Sequence, residues 1–360
     1  MCTIYNPVGC LRELNSYLQQ HHINDIKSLD EIFEFHKNYE TYRLKIISDH
    51  KHLIEDEKNQ LDLLIPKLQA SIEPNKQSIE KRLLEEILHL ERRYELLSEA
   101  GKSFISSIGA SFKKWRLKSR IKKNKENFDQ KVSDWLQTLH EQLNSKIDRQ
   151  RFIETQFEAA VQQECSSLLV EQARKKRLLD GVNKTVYGAL GELSVVKELQ
   201  TLSDDSFVIN DFRMFFDKSI YDHRNNEYIN SIQVDHLLIN RSGVFVIETK
   251  NWSKLSTERM DFFSPVRQIK RANFIVYKLL NGSVGNYSFN LAKHHWGKRN
   301  IPVRNIIAMT NSNSKETFEH VKILGINRLV GYISYFEPTL SPVEVNGIVD
   351  YLLKIGSGQL

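Results

Sequence analysis

The sequence predicts an α/β domain, a mixed sheet flanked by helices, over residues 181–360, preceded by a long all-α coiled-coil or bundle region over residues 1–180. Three observations carry this division. Only Gly9, Gly101 and Gly109 precede residue 181, and twelve of the fifteen glycines lie from Gly181 onward. Tight turns draw on glycine for positive φ, and long helices exclude it on entropic grounds. Apolar residues before 180 recur at helical spacing, whereas beyond 181 helical and strand-like stretches alternate.

In the first half, Ile47, Ile54, Leu61 and Leu68 recur at seven-residue intervals. Leu83, Ile87, Leu90, Tyr94 and Leu97 alternate steps of four and three, as do Val132, Leu136, Leu139 and Leu143. This is the apolar seam of helices that pack side by side. Pro66 interrupts the pattern, and Glu73-Pro74-Asn75 reads as a turn between two helices. In the second half a helix is expected from Tyr187 to Leu199, then a short strand at Ser206–Ile209. Strands follow at Ile232–Ile239 and Val244–Glu248, joined by the turn Asn240-Arg241-Ser242-Gly243. A helix over Pro265–Leu280, a strand over Asn305–Met309 and a final helix opened by the capping box Ser341-Pro342-Val343-Glu344 complete the domain.

Composition sets the class. The chain has 360 residues, of which 40% are hydrophobic and 27% charged, so it is neither disordered throughout nor membrane-embedded. Its apolar runs reach only four or five residues, far short of the ~18–20 that cross a bilayer. The start Met1-Cys2-Thr3-Ile4-Tyr5-Asn6 lacks a secretory pattern. The scattered Cys2, Cys10 and Cys165 form neither a disulfide framework nor a metal knuckle. A cytoplasmic location is therefore expected. Gly101-Lys102-Ser103 mimics the tail of a phosphate-binding loop, but Leu96 stands where that motif needs glycine, which excludes an ATP site.

The net charge of +6 is mild, but its distribution is not. Segment 102–125 holds Lys102, Lys113, Lys114, Arg116, Lys118, Arg120, Lys122, Lys123 and Lys125 with no acid among them, and Arg174-Lys175-Lys176-Arg177 forms a second cluster. Such runs attract phosphate backbones; the plainer alternative is a solvated helix face.

The chemistry concentrates in the hairpin. With the turn at 240–243, Ile239 pairs with Val244, and the same register carries Asp235 opposite Glu248. Directly opposed residues have Cβ atoms ~4.5–5.5 Å apart. Lys250, two residues past Glu248, projects to the same face. Two carboxylates facing each other in an apolar hairpin destabilise it unless a cation resolves the conflict. Mg²⁺, with Mn²⁺ as a substitute, suits such hard oxygen ligands. Asp235 and Glu248 are then the metal ligands. Lys250 orients or helps to deprotonate the attacking water and stabilises charge on a phosphate. The structural alternative is a Glu248–Lys250 pair on an exposed strand.

Further residues extend the pattern. Gly188-Ala189-Leu190-Gly191-Glu192, Val234-Asp235-His236, Gly243 through Trp252, and Pro265-Val266-Arg267-Gln268, taken together and in this order, resemble the NERD (nuclease-related domain) family. The resemblance covers about 187–313. That family is similar to the restriction-endonuclease-like PD-(D/E)xK superfamily. The resemblance implies a mixed core sheet flanked by helices and metal-dependent DNA cleavage. It implies catalytic roles for Glu192, Asp235, Glu248, Lys250 and Gln268, and its company implies a role against foreign DNA. One departure is Ser253-Lys254 after Asn251-Trp252, where the family often has glycine. The polar stretch Arg213–Ser231 reads as a family-variable insertion.

Other residues carry plainer readings. His294-His295-Trp296 has no partner cluster at ligand spacing, and His236, facing away from Asp235, reads as packing or support. Trp252 reads as core filling, and Lys270 and Arg271 as phosphate contacts or a solvated face. The leading expectation is a Mg²⁺-dependent deoxyribonuclease with DNA as partner. Its N-terminal helices serve homo-oligomerisation, a helical protein partner, or DNA contact through Lys113, Lys114, Arg116, Lys118, Arg120, Lys122 and Lys123. The alternatives are a catalytically silent nucleic-acid-binding module on a coiled-coil scaffold, or a structural protein whose working part is the helical half.

Overall fold

Strand pairing organises the C-terminal half. The computed structural model describes residues 1–99, 107–252, 262–284, 287–289, 299–312 and 316–357. Six strands, β1 (Thr3–Tyr5), β2 (Phe207–Asp222), β3 (Glu227–Asn240), β4 (Gly243–Lys250), β7 (Val303–Met309) and β8 (Val321–Gly325), form one mixed sheet in the order β1-β2-β3-β4-β7-β8. β5 (Ser283–Val284) and β6 (Tyr287–Ser288) pair separately. β2, β3 and β4 form an antiparallel meander, and β4, β7 and β8 run parallel. A parallel pair needs a crossover, which α7 (Phe263–Asn281) provides between β4 and β7.

Alternation along the strands sends side chains to two cores. Leu237, Ile239, Val244 and Val246 face Val266, Ile269, Ala272, Ile275 and Val276 of α7 and Val345, Ile348, Val349 and Leu352 of α9 (Pro342–Gly356). Leu238, Phe245 and Ile247 face the other way, onto Val195 and Leu199 of α6 (Asn183–Leu199) and Leu329 and Ile333 of α8 (Leu329–Ser334). Full burial of each such side chain contributes ~1.5–3 kcal/mol, which outweighs single-residue propensities. The expected capping box at Ser341 and Glu344 forms, with Pro342 in the first turn.

The hairpin register matches expectation: Ile239 faces Val244, Leu237 faces Val246, and His236 faces Ile247. The turn is tighter than the four-residue loop expected, because Asn240 still pairs with Gly243 and only Arg241 and Ser242 bridge the strands. The Asn240 side chain accepts the Ser242 N–H at 2.9 Å. Gly243 has φ 127°, and a Cβ there would lie 2.6 Å from the Pro302 carbonyl oxygen, so only glycine fits. The polar stretch 213–231 is strand rather than loop. It is the extension of β2 and β3, paired out to Asp222 and Glu227 across a register shift between Phe215 and Ile220.

Contacts divide the chain into two units, 1–37 with 175–360, and 38–174. The expected boundary at 180 differs from this division chiefly in residues 1–37, which join the C-terminal unit. β1 adds to the sheet edge in parallel with β2, with Thr3 opposite Phe207 and Tyr5 opposite Ile209. Leu14 and Leu18 of α1 (Gly9–Gln20) pack with Ile23, Ile26, Leu179, Val186 and Ala189. Pairing across some two hundred positions leaves no local pattern to read.

The second unit holds most of α2 (Leu29–Glu99), all of α3 (Ser107–Glu126) and α4 (Phe128–Thr155), and most of α5 (Phe157–Gly181), and the seams expected along α2 and α4 are buried or half-buried. Ile54, Leu61 and Ile65 pack with Leu143, Ile153, Val161 and Cys165, and Ile47 and Leu68 flank them. The expected turn at 73–75 is absent: α2 continues through Pro66 and Pro74. Both prolines lie on its exposed face, while the seam on the other face goes on past them. Packing along that seam offsets the backbone hydrogen bonds that proline cannot donate.

Candidate active site

The carboxy end of β4 gathers the residues expected to act together. The β3–β4 pairing ends at His236–Ile247, and Asp235 and Glu248 are the next residue on each strand. The ladder ends there, and Asp235 Oδ2 accepts the Thr249 N–H at 2.7 Å in place of a strand carbonyl. Glu248 is 4% exposed. Its Oε1 accepts Lys250 Nζ at 2.7 Å, and its Oε2 accepts Nε2 of Gln268, in α7, at 3.1 Å.

Glycine spacing brings in the helix acid. A Cβ on Gly191 would meet Asn251 Cβ at 2.9 Å and Thr249 Cγ2 at 3.3 Å, so α6 lies almost in backbone contact with the end of β4. A Cβ on Gly188 would meet Cys10 Sγ at 2.8 Å, so α1 crosses α6 just as closely. Between these approaches sits Glu192, 5% exposed, whose Oε2 accepts the Cys10 N–H at 3.1 Å. Asn251 ties the corner together. Its Nδ2 donates to the Tyr187 carbonyl at 2.6 Å, and its Oδ1 accepts from Thr310 Oγ1 at 2.8 Å and from Asn311 Nδ2.

The three carboxylates oppose one another's ionisation. Burial and then the Glu248 charge push Asp235 up to about 7. Burial and then Asp235 raise Glu192; burial raises Glu248, with Glu192 adding to it and Lys250 opposing. Burial works against the Lys250 ammonium, but attraction to Glu248 and Asp235 and the hydrogen bond to Glu248 outweigh it, so Lys250 stays protonated. One ammonium therefore faces Glu248 and Asp235 while Glu192 adds its charge against Glu248, an electrostatic deficit that a divalent cation would relieve.

Behind the acids, on the opposite sheet face, His236 is fully buried. Asn210 Oδ1 lies 2.7 Å from its Nδ1, and Thr249 Oγ1 lies 3.1 Å from its Nε2. Asn210 Nδ2 already donates to the Asn6 carbonyl, so its oxygen is the acceptor, Nδ1 carries the proton, and Nε2 accepts the Thr249 hydroxyl. Burial drives His236 down to about 3, which keeps it neutral. It braces Thr249, whose N–H holds Asp235.

The remaining expectations divide. Trp252 packs edge-on to Phe262 at 4.9 Å, as core filling requires. Arg271 lies 3.4 Å from Glu227, a single carboxylate that it shares with Arg267 at 2.6 Å. Lys270 is half-buried on α7. Lys113, Lys114, Arg116, Lys118, Arg120, Lys122 and Lys123 lie on α3, in the other unit. His294-His295-Trp296, Ser253-Lys254 and Lys102 lie outside the described residues. Sequence reasoning missed Cys10, whose backbone holds Glu192, and Glu13, whose charge acts on Asp235 and Glu192. Nothing near either residue in sequence marks it; both reach the site only because α1 packs on α6.

The donor chemistry fits a hard divalent cation: carboxylate oxygens with raised proton affinity and an excess of negative charge. Among the described residues, no group of three or more His, Cys, Asp or Glu side chains is arranged to hold a metal. Comparison with known families matches residues 187–310 to the nuclease-related domain (NERD), a family of the restriction-endonuclease-like superfamily. The match spans both glycines of α6, all three acids, Lys250 and Gln268. No curated protein and no solved structure matches the chain. Among the described residues, no helix is long and apolar enough to cross a membrane.

Proposed function

We propose that this chain is a divalent-metal-dependent nuclease that hydrolyses phosphodiester bonds in DNA at the Asp235–Glu248–Lys250 corner. The observation that carries the reading is the meeting of Asp235 and Glu248 beside one ammonium, Lys250, with Glu192 coupled to both acids, inside the family match. Asp235 and Glu248 would hold Mg²⁺ or Mn²⁺, which when bound supplies Lewis acidity to a phosphate oxygen and lowers the pKa of a coordinated water. Lys250, kept protonated by its neighbours, acts as a donor that stabilises charge on the scissile phosphate rather than as a base. Gln268 holds Glu248, and the Thr249 N–H holds Asp235. The Cys10 N–H fixes Glu192.

One observation favours a second reading, a silent nucleic-acid-binding module. Both oxygens of Glu248 are engaged, by Lys250 and Gln268, which satisfies the carboxylate without a metal. The test is cleavage of linear and supercoiled DNA by the full chain with Mg²⁺, Mn²⁺ or chelator, repeated with Glu248→Gln and Lys250→Ala. Metal-dependent cleavage lost in both variants is expected. Cleavage unchanged in both removes the assignment, and DNA binding without products favours the second reading.

A further inference from the structure

Helix α3 presents an outward stripe that the chemistry of the acids does not use. Its half-buried residues Lys114, Leu117, Ile121 and Asn124 lie on one side. At helical spacing, the opposite side carries Phe112, Trp115, Arg116, Ser119 and Lys123. Phe112 is 59% and Trp115 66% exposed, and their rings stack at 5.9 Å with 29° between planes. Two large aromatics held in water on a helix are unusual, and this helix is rich in Lys and Arg.

The charges around them are only partly matched. Arg120 pairs with Glu86, Lys122 with Glu126 and Lys125 with Glu91. Lys113, Arg116, Lys118 and Lys123 make no ion pair among the described residues, and all four are exposed. From Phe112 to Lys123 the helix rises ~16 Å, room for a few nucleotides.

We propose that this stripe is a binding surface for single-stranded nucleic acid: Trp115, backed by Phe112, stacks on an unpaired base, and Arg116 and Lys123 neutralise the adjoining phosphates. The partner class follows from the pairing of two features. Cations alone would suit any polyanion, but an exposed aromatic face is useful only where bases are unstacked, since a duplex hides them. A membrane surface fits less well. An interfacial helix separates an apolar face from a charged one, whereas here the aromatics share their face with Arg116 and Lys123 while Leu117 and Ile121 turn inward. The choice of DNA as the nucleic acid rests on the nuclease reading; the stacking surface itself does not.

The experiment uses the full chain carrying Glu248→Gln, so that the probe stays intact. Fluorescence anisotropy compares a mixed-sequence single strand with the same sequence as duplex across a salt series, with Trp115→Ala and with Arg116→Gln/Lys123→Gln. Trp115→Ala is expected to weaken single-strand binding roughly five- to a hundredfold and to leave duplex binding unchanged. The double charge variant is expected to weaken both and to flatten the single-strand salt slope by about 1.4, from ~0.7 per phosphate contact. Full single-strand affinity in Trp115→Ala overturns the proposal. So does Trp115-dependent sedimentation with phosphatidylcholine–phosphatidylglycerol vesicles in place of single-strand binding. Cleavage by the unsubstituted chain is measured separately, so loss of stacking and failure of the nuclease reading are told apart.

Discussion

Lys250 Nζ lies 2.7 Å from Oε1 of Glu248, two residues back along the same strand, and is the ammonium that offsets the surrounding acids. Removing one partner of a mostly buried pair strands the other's charge, at a cost of roughly 3 kcal/mol. Lys250→Met should therefore lower the metal-free stability by about that amount in urea unfolding with chelator present. Adding Glu248→Gln should recover most of it, because the stranded charge is gone. If the two substitutions simply add, the pair is not coupled in the way its geometry requires.

Asp235 and His236 are sequence neighbours with opposite pH signatures. Asp235 is raised from 3.8 to about 7, so the folded chain holds a proton that the unfolded chain has lost. Stability therefore falls as pH rises between those values, and the penalty is complete above about 7. Asp235→Asn keeps an oxygen for the Thr249 N–H and removes the penalty. It should stabilise the metal-free protein by roughly 1–3 kcal/mol at pH 8 and by almost nothing at pH 4, while cleavage is lost. His236 works the other way. Lowered from 6.5 to about 3, it contributes stability that is whole above 6.5 and is lost as pH falls toward 3. The pH profile of Asp235→Asn should thus be steeper on its acid limb than that of the unsubstituted chain. Parallel profiles would contradict the burial of both groups.

Metal should act on folding through the same acids. A cation that binds only the folded chain stabilises it by RT ln(1 + [L]/Kd), about 2.7 kcal/mol at a hundredfold excess over Kd. Thermal unfolding with increasing Mn²⁺ should shift upward for the unsubstituted chain, and far less for Glu248→Gln. An equal shift in both would locate the cation elsewhere.

Gly191 tests how the helix acid is delivered. Alanine there would place a methyl group 2.9 Å from Asn251 Cβ, which a tightly packed corner cannot absorb. A loss of about 1–3 kcal/mol is expected, with a fall in cleavage as Glu192 is displaced. Gly331, in α8, has open space for 4 Å around the position a Cβ would take, so alanine there should stabilise by up to about 1 kcal/mol. Unfolding midpoints that move in the same direction for both would undercut the close-approach argument.

How much of this is legible in the sequence depends on distance along the chain. The hairpin is readable because alternation and a turn fix its register locally, and Asp235, Glu248 and Lys250 come with it. The helical seams are readable for the same reason. Joining Glu192 to the hairpin acids needs the family resemblance, since nothing in Gly188 or Gly191 says which strand or helix they let approach. The contribution of β1 and α1 is invisible, because Thr3–Tyr5 pairs with Phe207–Ile209 and Cys10 meets Glu192 across some two hundred positions of chain.

The prolines of α2 give the clearest case of a local rule overruled. Pro74 reads as a turn, yet α2 runs from Leu29 to Glu99 with Pro66 and Pro74 inside it. Each removes a backbone donor and crowds the preceding turn, at a cost of about 3 kcal/mol relative to alanine in a helix interior. Both side chains are exposed, so replacing them removes no packing. Pro74→Ala should therefore stabilise the helical unit by about 1–3 kcal/mol and raise helical ellipticity slightly, with Pro66→Ala behaving alike. If Glu73-Pro74-Asn75 were a turn between two helices, proline would be favourable at that position, and alanine would leave stability unchanged or lower it. Urea unfolding of Pro74→Ala followed by circular dichroism separates these outcomes by sign.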